Sequence, residues 1–104
     1  MRVELLYWDG DRDYMSARQN LVEVLTEDAF ETTIQMIAVS SDEDASFLAF
    51  PGSPTIRIDG VDIDAAGAGE VGLYQRVYGG TSVPSKDLIR AAVERARGWS
   101  HGRR

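Results

Sequence analysis

The strongest constraint on the fold is the pattern of the first third of the chain, where a strand, a helix and a second strand follow one another. Val3–Trp8 is a mostly apolar run of β-forming residues, and Asp9-Gly10-Asp11 then reads as a turn ending in a preferred helix-capping residue. Apolar residues at spacings of three and four predict a helix from Asp13 to about Asp28. Because Thr32–Val39 alternates as a second strand, the segment predicts a parallel pair with a right-handed crossover.

The middle of the chain predicts a short helix and a third strand. Ser40 and Glu43 have the spacing of a capping box, and Pro51 ends the helix that they begin. We expect Phe47, Leu48 and Phe50 to be its buried contacts. Thr55–Asp59 alternates as a strand.

A turn, a fourth strand and a last helix complete the predicted order. Asp59-Gly60 is a hairpin signal, after which we expect Val61 and Ile63 to tuck inward. The run Ala65–Gly69 is a loop, Leu73–Tyr78 is the fourth strand, and Val83-Pro84-Ser85 leads into the helix. Two of the predicted helices have an apolar face that should pack against the sheet. In the first helix this face consists of Ala17, Leu21, Val24 and Leu25, and in the last helix it consists of Leu88, Ile89, Ala92, Val93 and Ala96.

The predicted fold is therefore a single α/β domain over residues 1–98, with the order β-α-β-α-β-β-α. Its sheet has four strands of mixed direction and is flanked by helices. Residues 99–104 read as a flexible tail.

Charge and hydropathy exclude two classes of partner. The net charge is −6, and residues 1–85 hold fifteen acidic side chains against five basic ones. An acidic body repels phosphate backbones, so we expect no nucleic-acid binding. No apolar run approaches the roughly 20 residues that span a bilayer, and the first residues show no signal-peptide pattern. We therefore expect a cytoplasmic protein that does not bind membranes.

The absence of cysteine excludes thiol–disulfide chemistry, because every such reaction needs a thiolate. The chain also has a single histidine, His101, which makes a zinc site improbable. Asp9, Asp11 and Asp13 alternate like the opening of a calcium-binding loop, but Tyr14 stands where that loop needs glycine. We expect neither a metal nor a cofactor.

Two segments resemble a family of small bacterial thioredoxin-like proteins, some of which carry the label alkylmercury lyase. Val3–Gly10 is similar to the first strand of that family, and Phe50–Gly60 contains its Gly-Ser-Pro-Thr element. A weaker likeness covers Gly72–Tyr78, and the whole resemblance spans about residues 3 to 97. It implies a thioredoxin-like fold in which the Ser53–Pro54 bond is cis and faces the former redox centre.

The departures from the family define the expected site. Asp11 stands at the position of the nucleophilic cysteine, so the family's redox and mercury chemistry cannot operate here. If the cleft is reused, Asp11 or Asp13 would act as a general acid or base in a cyclase, isomerase or lyase reaction on a small organic molecule. The residues expected to line this cleft and bind the substrate are Trp8, Arg12, Tyr14, Ser53, Pro54 and Gln75.

Two alternatives require no catalysis. Asp11 is also a good N-cap, and a cis Ser53–Pro54 bond could serve to aim the next strand and expose backbone groups to an extended ligand. The runner-up to an enzyme is a binding or interaction module, whose sheet edge or cleft would hold a peptide, a small molecule or a second copy of the chain as a homodimer. The aromatic side chains available as anchors are Tyr7, Trp8, Tyr14, Tyr74, Tyr78 and Trp99.

Overall fold

The computed structural model describes residues 1–28 and 32–101. The elements in this part of the chain, which also includes a 3-10 turn at Ala65–Gly67, are β1 (Val3–Tyr7), α1 (Tyr14–Glu27), β2 (Ile34–Ala38), α2 (Asp42–Phe47), β3 (Pro51–Ser53), β4 (Thr55–Ile58), β5 (Val61–Asp62), β6 (Gly72–Gln75) and α3 (Lys86–His101).

The main sheet has four strands in the order β2-β1-β4-β5. β1 runs parallel to β2 and antiparallel to β4, and β5 returns antiparallel to β4. The mixed four-stranded sheet of an α/β protein is thus confirmed. Its fourth strand, however, is Val61–Asp62 and not the predicted run from Leu73 to Tyr78.

The Asp59-Gly60 turn explains the difference in the fourth strand. Ile58 pairs directly with Val61, so the turn has only two residues, and their φ angles are 53° and 83°. Two successive positive φ values give a type I′ hairpin, whose twist matches that of the strands it joins. The chain therefore returns at once, and β6 pairs in parallel with β3 as a separate two-stranded sheet.

The core divides into two clusters on the two faces of the main sheet. Leu5 belongs to the larger cluster, which α1 and α3 cover, and Leu6 belongs to the smaller one, which lies towards α2. The predicted stripe of α1 is confirmed in full, and Ile89, Ala92 and Val93 of α3 are buried while Leu88 and Ala96 are partly buried. Helical periodicity located these faces because helix packing follows it closely.

Three local predictions are wrong. Phe47 is 89% exposed because it is the last residue of the short helix α2 and only Ala45 is buried there. Val61 is 63% exposed since it lies in the short outer strand β5, whereas Ile63 is buried as expected. The cap of α2 is Ser41, whose hydroxyl accepts a hydrogen bond from the Asp44 N–H, and not the predicted Ser40 pair.

The last helix extends into the segment predicted as a tail. α3 continues to His101, and residues 102–104 lie outside the described part of the chain. In the described ranges, no helix combines the length and the hydropathy that a membrane span requires.

Candidate functional site

The centre of the predicted site is the buried carboxylate of Asp11, whose side chain is only 1% exposed. Its Oδ2 accepts a hydrogen bond of 2.8 Å from the Ser53 hydroxyl. Its Oδ1 accepts two more, each 2.8 Å long, from the Asp13 backbone N–H and from Nε2 of Gln75. One carboxylate therefore joins the turn after β1, the end of β3 and the end of β6.

The turn between β1 and α1 aims Asp11 inward. The Asp11 N–H donates to the Trp8 carbonyl at 2.9 Å, which closes a tight turn over Asp9 and Gly10. The helix N-cap is then Asp13, whose carbonyl accepts from the Ala17 N–H, so the prediction that Asp11 is the N-cap is wrong. Asp11 instead binds the backbone N–H two residues on, a short-range pattern typical of aspartate.

Ser53 is the second fully buried member of the site. Its hydroxyl accepts a hydrogen bond of 3.0 Å from the Trp8 N–H while it donates to Asp11. The Ser53–Pro54 peptide bond is cis, as the resemblance implied. Tyr78 fixes the following carbonyl, because its hydroxyl donates to Pro54 O at 2.5 Å.

Asp13 is tied into the same network. Its Oδ2 accepts from Gln75 Nε2 at 3.1 Å and from the Ser82 hydroxyl at 2.6 Å. Ser82 was not among the predicted residues, since it lies in an irregular segment before α3 with no periodic signal. The structure thus brings Asp11, Asp13, Ser53 and Gln75 together in one network of side-chain hydrogen bonds.

The other predicted residues surround this network without joining it through their side chains. The Trp8 ring lies directly over Gly10, where an added Cβ would be 2.2 Å from the indole. Tyr14 stacks on Tyr7 with ring centroids 4.3 Å apart. Arg12 is exposed, and no hydrogen bond or ion pair joins its guanidinium to the described residues.

The backbone edge beside Pro54 is already occupied, so the expectation of exposed backbone groups is wrong. Ser53 pairs with Gln75 across the β3–β6 ladder, and the Ser53 carbonyl accepts a hydrogen bond of 2.7 Å from the Arg76 N–H. Residues 51–56 are all buried. An extended ligand would have to displace the chain's own strand β6.

A second buried polar cluster, absent from the sequence predictions, surrounds Arg76. The Arg76 side chain is 2% exposed and binds both carboxylate oxygens of Asp62, at 2.8 and 3.0 Å. It also donates to Thr55 Oγ1 and Asp64 O and lies 4.6 Å above the Tyr78 ring, while Nε has no hydrogen-bond partner among the described residues. Burial raises the pKa of Tyr78 well above its ordinary value. The only indication of this cluster in the sequence was Arg76 itself, a single arginine within the strand-like run from Leu73 to Tyr78.

Two surface cavities lie away from the predicted site. One, of about 270 Å³, is lined by the β4–β5 hairpin and α3, and the other, of about 810 Å³, lies around the N-terminus and Thr32. Neither is lined by a residue of the Asp11 network. Within the described residues, no group of three or more acidic or histidine side chains is arranged to hold a metal ion.

The fold and site together define a mixed α/β domain with a buried, hydrogen-bonded carboxylate in the turn before its first helix. Comparisons of the chain with protein-family models, with curated proteins and with solved structures found no match.

Proposed function

We propose that this chain is a redox-inactive, thioredoxin-like binding module that holds a small organic ligand beside the Asp11 network and does not catalyse a reaction. The strand order β2-β1-β4-β5 and the cis Ser53–Pro54 bond at the start of β4 support the thioredoxin-like assignment. Asp11, at the position of the nucleophilic cysteine in the resemblance, lies within hydrogen-bonding distance of Ser53.

The observation that carries the non-catalytic assignment is the burial of the Asp11 carboxylate among three donors of its own chain. A general base must reach a substrate proton at about 2.6–3.2 Å, either directly or through one water. The oxygens of Asp11 are directed at three donors of its own chain and the side chain is buried. This geometry favours an anchor that holds the first turn, the cis-proline segment and β6 in register over a general acid or base.

The charges at the first turn favour a cationic ligand. Asp9, Asp11 and Asp13 place three carboxylates along five residues, against the single guanidinium of Arg12. The half-buried indole of Trp8 adds an aromatic surface at the same turn, and indole is the side chain that attracts cations most strongly through its ring face. We therefore expect a small organic cation with an apolar body, such as an arylalkylammonium ion.

Matched probes test this proposal. Benzylamine and benzoate have similar size and opposite charge, and each is titrated into ¹⁵N-labelled protein at neutral pH. We expect benzylamine to shift the Trp8 indole N–H and the amides of residues 9–13, with benzoate leaving them unchanged. The second indole signal, from Trp99, is assigned with Trp99→Phe.

Two variants supply the control. Asp9→Asn removes an exposed carboxylate from the first turn and should weaken benzylamine binding, whereas Asp42→Asn removes an exposed carboxylate from α2 and should not. Equal responses to both probes, or no response at the first turn, would refute the ligand class. Turnover of a bound compound that Asp13→Asn abolishes would refute the non-catalytic assignment.

A further inference from the structure

The outer strand β2 forms one edge of the main sheet, with β1 as its only strand partner among the described residues. No charged residue occurs from Thr32 to Ser41, although 27% of the chain is charged. Exposed edges of natural sheets are usually protected from pairing by charged side chains, proline, bulges or brevity. β2 has five residues in regular register with β1 and none of these sequence protections.

The opposite edge of the same sheet is protected. β5 has only two residues, and the acidic side chains of Asp59 and Asp64 lie beside it, whereas Asp62 within it is paired with Arg76. A short acidic edge resists pairing with another strand. The contrast within one sheet indicates that the open edge of β2 is a specific feature and that β5 is not an equivalent surface.

The direction of the backbone groups on β2 follows from one hydrogen bond. The Val39 N–H donates to the Tyr7 carbonyl at 2.7 Å, so the backbone N–H and C=O of Val39 point towards β1. Since this direction alternates from residue to residue along a strand, the backbone groups of Gln35 and Ile37 also point towards β1. The N–H and C=O groups of Ile34, Met36 and Ala38 therefore point outward from the sheet.

We propose that two copies of this chain associate through β2, pairing antiparallel about a two-fold axis at Met36. In this register Met36 lies opposite Met36 of the second copy, and Ile34 lies opposite Ala38. All three outward-facing residues then form hydrogen-bonded pairs, and the two sheets become one of eight strands.

A second copy fits this edge because of the sequence of β2. About the two-fold axis, the larger Ile34 of one copy lies opposite the small Ala38 of the other on one face, and such self-complementary pairing is what an isologous interface requires. The net charge of −6 on each copy does not oppose the contact directly, because the paired segment carries no charge.

Hydrogen exchange on the unmodified protein tests the register. At millimolar protein we expect slow exchange at the amides of Ile34, Met36 and Ala38, and faster exchange on dilution to micromolar. The amides of Gln35 and Ile37, bonded to β1, should stay protected at both concentrations. Sedimentation velocity over the same range should show a monomer–dimer equilibrium.

A matched pair of variants tests the contact itself. Ala38→Pro deletes an outward N–H and introduces a ring at the seam, while leaving the β1 ladder bonds intact. Since the symmetric pair loses two hydrogen bonds, we expect the dimer Kd to rise by at least about tenfold. Ala38→Ser keeps both the N–H and the small size of the side chain, and it should dimerise as the unmodified protein does.

Several results would overturn the proposal. A monomer at millimolar concentration would do so, as would a dimer in which Ile34, Met36 and Ala38 exchange rapidly. A different protein that protects these three amides while the isolated chain stays monomeric would show that the edge belongs to another partner. If Ala38→Pro does not fold, the exchange pattern of the unmodified protein decides.

Discussion

Ser53 and Asp11, separated by 42 positions in the sequence, are joined by a buried hydrogen bond of 2.8 Å in which the hydroxyl donates to the carboxylate. The same hydroxyl accepts from the Trp8 N–H at the end of β1. A single serine oxygen therefore connects the first strand, the first turn and the cis-proline segment. Removing either partner would leave buried polar groups without hydrogen bonds, a loss that is costly inside a protein.

Asp11→Ala should destabilise the fold strongly because it deprives three donors of their acceptor. We expect a loss of roughly 2–4 kcal/mol in the free energy of unfolding, measured by urea denaturation. Asp9→Ala removes an exposed carboxylate from the same turn and should change it by less than about 0.5 kcal/mol. Equal effects of the two substitutions would contradict the anchoring role of Asp11.

Arg76→Met should be more damaging than the removal of an exposed arginine. It leaves Asp62 without its bidentate partner, and breaking a buried ion pair on one side costs about 3–5 kcal/mol. The double variant Arg76→Met/Asp62→Leu should recover part of this loss, since no lone charge is left. Arg12→Met, which removes an exposed arginine, is the matched control, and thermal unfolding of all three variants measures the difference. A double variant less stable than Arg76→Met would contradict this prediction, because the free energy gained from the ion pair would then exceed the free energy lost in burying its two charges.

The stability of the contact between α1 and α3 should fall in acid. Hydrogen bonds from Lys86 and Arg90 lower the pKa of Glu27. A lowered pKa in the folded state stabilises the protein above the unfolded pKa of about 4.3, and this contribution is lost as pH falls through the folded value. Urea midpoints measured between about pH 5 and pH 3 should therefore drop less steeply in Glu27→Gln. Glu43→Gln, on the exposed face of α2, should keep the original slope.

Gly10→Ala should move the Trp8 ring without unfolding the protein. An added Cβ would lie 2.2–2.5 Å from the indole, and the ring has room to respond because Trp8 is only half-buried. We expect a red-shifted tryptophan fluorescence, weaker benzylamine binding and a nearly unchanged urea midpoint. Gly98→Ala, where an added Cβ meets no atom within 4 Å outside its chain neighbours, should leave fluorescence and binding unaltered when both variants carry Trp99→Phe, so that Trp8 is the sole tryptophan. Unchanged fluorescence in Gly10→Ala would show that the indole does not rest on this glycine.

Regular periodicity allowed the larger elements to be predicted from the sequence. The stripe of α1 and the apolar face of α3 were located because a helix repeats its packing face every three or four residues. The failures occurred where the outcome depended on a partner distant in the chain. Leu73–Tyr78 has the composition of a strand, but only the tight Asp59-Gly60 turn decided which strand completes the hairpin.

Only part of the site was predicted, because several of its contacts join residues that lie far apart in the chain. The likeness at Ser53-Pro54-Thr55 predicted that Ser53, Pro54 and Asp11 would be near one another, and Gln75 was expected at the same cleft. Ser82 and the ion pair of Arg76 with Asp62 were missed, because nothing in their local sequence indicates partners 69 and 14 positions away. Contacts of this kind depend on the folded topology and not on local pattern.

The pairing of β6 with β3 means that the edge beside the cis-proline is already occupied by a strand of the same chain. The Arg76 N–H already donates to the Ser53 carbonyl, which is the acceptor that a visiting peptide would need. A peptide that approached this edge would compete with a strand covalently linked to it, whose effective local concentration is on the order of millimolar. Because β6 competes for the same backbone groups, an extended peptide should bind poorly at this edge, whatever its side chains. A compact molecule that does not need these backbone groups is the more suitable ligand.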